Sequence, residues 1–132
     1  MIYGVGTDVV EIGRIAAARA RFGDRFVQRI LGAQERARYA QRLARSERRG
    51  LAYLATRFAA KEAIAKALGL GLRAPMSWRS VEIVNAPSGQ PTALVQGALA
   101  QFVAQRNLTL HVSVSDEREL ATAFAIAEVR VN

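Results

Sequence analysis

Arg57-Phe58-Ala59-Ala60-Lys61-Glu62-Ala63-Ile64-Ala65-Lys66-Ala67-Leu68-Gly69 is the stretch on which the fold turns. It is made of residues that favour a helix and closes on a glycine. Ser46 is the expected N-cap, so the helix should run from there to about Leu68. Gly69-Leu70-Gly71 ends it, and Pro75 excludes its continuation. On a wheel of about 100° per residue, Leu51, Leu54, Ala55, Phe58, Glu62, Ala65 and Gly69 share one arc. Glu62 is then expected in the middle of an apolar stripe, where an unpaired carboxylate is costly. A cationic side chain or a metal ion would hold it there. Helix position alone does not separate the two.

Upstream of that helix, Ile2 to Val10 alternates and reads as a strand ending near Asp8. Glu11 to Arg21 suits a helix broken around Gly23. Phe26, Val27, Ile30 and Leu31 mark a short amphipathic turn or two, stopped by Gly32, and Gln34 to Arg45 reads as a helix with an arginine-rich face. Downstream, Ser80 to Asn85 and Thr92 to Val95 are strands joined by the turn Pro87-Ser88-Gly89-Gln90. Ala98 to Arg106 looks helical, Leu108 to Ser115 alternates cleanly, and Leu120 to Val131 is a final strand. Helices and hairpin-linked strands in this order predict an α+β fold with a mainly antiparallel sheet, as a single domain over residues 1–132.

The chain has 132 residues, 51% of them apolar, which favours a packed globule. It has no cysteine, so disulfides, zinc ribbons and thiolate nucleophiles are excluded together. The N-terminus has no basic n-region, and no apolar run approaches the ~18 residues of a membrane span. A soluble, cytoplasmic protein without a membrane partner is expected. The net charge is +8, and the segment from Arg14 to Arg49 carries all of it: eleven arginines against Asp24, Glu35 and Glu47. Such a field recruits an anionic partner, whether nucleic acid, an acidic membrane or an acidic protein. A small basic nucleic-acid-binding module is thus an alternative function. Against it, aromatics are sparse at 7% and no stacking motif is present.

Lysine usage narrows the chemistry. There are 19 basic residues, and only Lys61 and Lys66 are lysines, both on the long helix. Lysine acts as a compact point charge for phosphate, where arginine offers a planar fork. Lys66 lies four residues after Glu62, on an adjoining flank of the same face. Asp8, after Gly4-Val5-Gly6-Thr7, supplies a second acid from a separate element. Two carboxylates plus phosphate oxygens suit a hard octahedral ion such as Mg²⁺. Gly4-x-Gly6 is no dinucleotide fingerprint, since its third glycine position is Val9, and a Walker A motif is absent.

Three segments taken together go further: Gly4-Val5-Gly6-Thr7-Asp8-Val9-Val10-Glu11-Ile12, the Arg57 to Gly69 helix, and His111-Val112-Ser113-Val114-Ser115. In this order and spacing the chain resembles the holo-acyl-carrier-protein synthases, the short bacterial type of 4′-phosphopantetheinyl transferase. The likeness covers essentially the whole chain, including the hairpin around Pro87. It implies transfer of the phosphopantetheine arm of coenzyme A to a serine of apo acyl carrier protein, with release of adenosine 3′,5′-bisphosphate. It also implies an α+β half-fold and a homotrimer with active sites between subunits.

By the same resemblance Asp8 and Glu62 match the magnesium ligands, and with Lys66 they form the expected catalytic set. Lys61, Lys66, His111, Ser113 and Ser115 are the expected coenzyme A contacts. Acyl carrier proteins are small and acidic, which makes Arg14, Arg21, Arg25 and Arg29 the docking candidates. The serine's base is open between Glu62, Asp8 and a metal-bound water, with a water positioned by Glu62 favoured. The chain departs from the family after Ser115, where a histidine is frequent: Asp116 follows instead, leaving His111 as the sole histidine.

Overall fold

A computed structural model describes residues 1–131. The elements follow the order β1 (Ile2–Glu11), α1 (Ile12–Phe22), α2 (Asp24–Ile30), α3 (Ala33–Arg45), α4 (Glu47–Ala67), β2 (Val81–Asn85), β3 (Pro91–Val95), α5 (Gly97–Gln105), β4 (Leu108–Asp116) and β5 (Leu120–Val129). The antiparallel pairing is split in two: a three-stranded sheet in the order β1-β5-β4 and a separate β2-β3 hairpin. The α+β expectation therefore holds. Helix α4 starts where the N-cap predicts, with the Ser46 hydroxyl accepting from the Arg49 N–H at 3.4 Å. It ends at the expected glycine, since Gly69 has φ +75°, a conformation that other residues adopt at a cost.

The sheet lies against α4 along a seam of very small residues. Gly4, Gly6 and Asp8 of β1 pair with Ala127, Ala125 and Ala123 of β5. On the facing side α4 contributes Ala59, Ala60, Ala63 and Ala67, all buried. A Cβ added at Gly4 or Gly6 would lie 2.0 Å from the carbonyl oxygen of Ala67 or Ala63. Strand and helix backbones thus touch, which only glycine permits. Leu108, Ala123, Ala125 and Ala127 join Ile64, Leu68, Val81, Ile83 and Leu99 in one core, and Val112 and Val114 pack at its edge. A second core gathers Ile15, Val27, Ile30, Leu31, Tyr39, Tyr53 and Leu54 beneath α1, α2 and α3.

Two expectations change here. Strand β1 does not end near Asp8: it continues to Glu11 because β5 pairs with it through Glu11 and Leu120. Nor is Glu62 in the middle of a buried stripe. Helix α4 is buried on almost every side, and Phe58 and Glu62, half-buried, with exposed Lys66, form its open line at four-residue spacing. The stripe read as the core-facing side is flanked by buried residues, but its centre faces a cleft.

Candidate active site

The glycine seam positions the carboxylates. Asp8 shares the strand face of Gly4 and Gly6, so it projects toward α4 where the two elements are closest. Glu62 and Lys66, one turn apart on α4, meet it there. The Lys66 ammonium donates to the Thr7 carbonyl at 2.8 Å and lies 3.3 Å from Asp8 Oδ1. Asp8 and Glu62 both line an open cleft of about 360 Å³, with Arg14, Ile15, Phe26 and Phe58 among its other walls. The Phe58 ring is braced from behind by Trp78, with ring centroids 4.8 Å apart.

Glu62 holds its proton above the usual carboxylate range. Loss of solvent is the main cause and the negative charge of Asp8 adds to it, while Lys66 opposes both. Two acids share the cleft, and Lys66, in ion-pair contact with Asp8, is half-exposed, with Arg14 elsewhere in the wall. The convergence of two carboxylates, and their all-oxygen donor set, fit a hard divalent cation. Among the described residues no three histidine, cysteine or acidic side chains cluster as a self-sufficient metal centre. Asp8 and Glu62 would therefore supply only part of a coordination shell. Mg²⁺ is held in this manner where substrate phosphates complete the octahedron.

Lys61 requires a correction. Expected at coenzyme A, it lies fully buried, with its ammonium 2.6 Å from Glu35 Oε1 and donating to the Ile30 carbonyl. It has no path to a ligand. Its neighbour in the motif, Arg57, is structural as well. The guanidinium donates to Asn85 Oδ1 at 2.8 Å and to the Ile83 carbonyl at 3.4 Å, and lies over the Tyr53 ring. Burial lowers the proton affinity of both, opposed for Lys61 by Glu35 and for Arg57 by Tyr53 and Glu35.

His111, Ser113 and Ser115 are exposed together, as their alternation predicts. They stand on the opposite face of the sheet from Asp8. Their register partners are Ile126, Phe124 and Thr122, whereas Asp8 and Gly6 pair with the inward alanines. Within one chain the structure does not bring them to Glu62. The His111 ring nitrogen Nε2 lies 2.9 Å from Glu128 Oε1.

Arg14, Arg21, Arg25 and Arg29 are all exposed on α1 and α2, and Arg14 also lines the carboxylate cleft. Sequence reasoning missed a second hollow, of about 420 Å³, lined by Arg42, Arg49, Tyr53, Thr56, Arg57 and Asn85, with Asp116 at its border. Arginines seven and eight residues apart on successive helices hinted at it. Their convergence depends on how α3 crosses α4, which no local pattern records.

The chain matches the family model of the 4′-phosphopantetheinyl transferase superfamily over residues 4–125. It is 61% identical, over 97% of this chain and 91% of the relative, to the holo-[acyl-carrier-protein] synthase of Cupriavidus pinatubonensis. The crystal structure of the holo-[acyl-carrier-protein] synthase from Neisseria meningitidis superposes with TM-score 0.89 at 38% identity, covering 97% of this chain and 99% of that one. A holo-(acyl-carrier-protein) synthase from Bacillus anthracis, in complex with CoA (3′,5′-ADP), gives 0.82 at 31% identity, covering 98% and 99%.

Proposed function

The chain belongs to the 4′-phosphopantetheinyl transferase superfamily, and from that membership we propose how its site works. The enzyme transfers the phosphopantetheine arm of coenzyme A to a serine of apo acyl carrier protein, leaving holo carrier protein and adenosine 3′,5′-bisphosphate. Full-length likeness to holo-[acyl-carrier-protein] synthases supports this reaction, and the nucleic-acid alternative gains nothing from it. The single observation that carries the mechanism is the cleft in which Asp8 and Glu62 converge beside Lys66.

Asp8 and Glu62 would hold Mg²⁺, which when bound neutralises charge on the pyrophosphate of coenzyme A and orients it. Lys66, half-exposed and tethered to the Thr7 carbonyl, presents its ammonium to the phosphate oxygens on which charge builds as the pyrophosphate bond breaks. The serine oxygen forms the new bond to phosphorus, and its proton leaves to a water held by the Glu62 carboxylate. Phe58 and Phe26 form an apolar wall of the cleft beside the carboxylates. In the second hollow Arg42 and Arg49 have the charge to take the nucleotide's further phosphate.

His111, Ser113 and Ser115 reach the same coenzyme A only if a second copy of the chain presents its sheet face. The outer face of that sheet is apolar for a surface: Tyr3, Val5, Val9 and Phe124 are 44, 56, 61 and 43% exposed. Both facts support the homotrimer with shared sites. Arg14, Arg21, Arg25 and Arg29 form the docking edge for the acidic carrier protein. Among the described residues no helix is long and apolar enough to cross a membrane, and with the absence of cysteine this supports work in the cytoplasm, as one transferase domain. The deciding experiment is mass spectrometry of apo carrier protein after incubation with coenzyme A and Mg²⁺. A gain of one phosphopantetheine mass, abolished by chelation, is expected. An unmodified carrier protein with folded enzyme present would sink the proposal.

A further inference from the structure

Lys61 adjoins Glu62 in the chain yet points into the interior, where its ammonium joins three elements. It donates to the carbonyl of Ile30, the last residue of α2, and to Glu35 Oε1 in the first turn of α3. The Glu35 carboxylate also accepts from the Gly32 N–H at 3.0 Å and from the Ile83 N–H of β2 at 2.8 Å. Glu82 accepts from the N–H groups of Gln34 and Glu35 at 2.9 and 3.1 Å, closing the α3 N-terminus. Gly32 fits between because a Cβ there would lie 2.4 Å from the Glu82 carboxyl carbon. Lys61 and Glu35 are both fully buried.

A buried ion pair is a poor source of stability, because desolvating both charges consumes most of the attraction. An apolar pair would fill the space as well. What the charged pair adds is direction, since an ammonium bonded to one named carbonyl fixes a helix end at one place. The helix so fixed is α2, only seven residues long and entered through Gly23 at φ +65° with no side-chain cap. It carries Arg25 and Arg29 on its exposed face and Phe26 in the wall of the Glu62 cleft. Its far corner is tied once more, by the Arg36 guanidinium to the Leu31 carbonyl at 2.8 Å.

We propose that Lys61, with Glu35, is the positioning residue that holds α2 in register with Glu62, so that carrier protein docked on the α2 arginines presents its serine to the cleft. The inference rests on the docking role of Arg25 and Arg29, and the experiment separates the two. The test pair is K61M/E35Q, which removes both charges and strands neither. Steady-state kinetics should show KM for carrier protein raised about tenfold and KM for coenzyme A within about twofold of wild type, with kcat falling only as far as Phe26 shifts in the cleft wall. R25E is then measured in both backgrounds. In wild type it should raise KM for carrier protein; in K61M/E35Q its added effect should shrink, because α2 no longer holds that arginine in place.

Unchanged KM for carrier protein in K61M/E35Q overturns the positioning role, as does a full, additive R25E effect in that background. A proportional loss in kcat with both KM values unaltered would mean only that less enzyme is folded, and overturns it too. If R25E is silent in wild type, the docking role fails and the inference with it. Should K61M/E35Q not fold, K61Q/E35Q, which also removes both charges and keeps an amide donor at position 61, takes its place with the same readouts.

Discussion

At Glu62, loss of solvent and the charge of Asp8 both favour the protonated acid, and Lys66 alone favours the carboxylate. The folded chain therefore binds this proton more tightly than the unfolded chain does. Such a group adds stability that is fully present below the unfolded value of 4.5 and is lost as pH rises through the higher folded value. Metal-free enzyme should accordingly lose stability above about pH 4.5 by this route, and E62Q, with nothing to titrate, should not. Urea midpoints of the two proteins across pH 4 to 7 would show it; parallel curves would refute it. Mg²⁺ should act oppositely, stabilising wild type at neutral pH and leaving E62Q unmoved. In the transfer assay E62Q is expected to fall about 10²-fold or more while staying folded, and wild-type turnover would remove Glu62 from the ion site. The same scale shows where sequence falls silent. Lys61 and Lys66 look alike on one helix, yet five residues of helical rotation turn them to different sides. Only the partner of Lys61, Glu35 from another helix, reveals that this lysine belongs to the scaffold, while Lys66 stays exposed beside Asp8.

Among elements, the contact of β1 with α4 decides whether the site exists. Replacing Gly6 by alanine sets a Cβ against the Ala63 carbonyl, an obstacle made of backbone that cannot rotate away. G6A should destabilise by about 1–3 kcal/mol and move Asp8 from Lys66, lowering transfer even where the protein folds. Gly13 of α1 meets nothing within 4 Å, so G13A should instead stabilise by about 0.5–1 kcal/mol. Chemical denaturation of both variants tests the contrast, and equal shifts would sink it. Much at this scale was legible beforehand. Ser46, Gly69 and the alternation from Leu108 to Ser115 fix the elements they bound, because caps and strand parity are local physics. The persistence of β1 past Asp8 was not legible, since it depends on pairing with residues more than a hundred positions away. The openness of the Glu62 line was hidden for a related reason. Alanine packs on every side of α4, so apolar periodicity does not say which side is left uncovered.

For the molecule as a whole, the distribution of charge and of apolar surface points to two different partners. The arginines of α1 and α2 should steer an acidic protein, an effect that weakens with salt. R14E/R25E should therefore raise KM for carrier protein at low ionic strength and approach wild type as salt increases; an unchanged KM at low salt removes the docking edge. The sheet's outer face has the opposite character. Phe124 pairs with Thr7 and Ser113 in register, so it stands at the centre of that face, between the apolar residues of β1 and the polar row of His111, Ser113 and Ser115. Its side chain belongs to neither core and is 43% exposed. Replacing it by glutamate should then cost a single chain little, while placing a charge in any interface built on the face. Sedimentation should show wild type as the trimer proposed above and F124E as a monomer, with circular dichroism unchanged. Transfer should fall with assembly, although Asp8, Glu62 and Lys66 lie untouched on the other side of the sheet. A monomeric F124E that retains full activity would mean that one chain holds the whole site, and that the row headed by His111 does not serve coenzyme A.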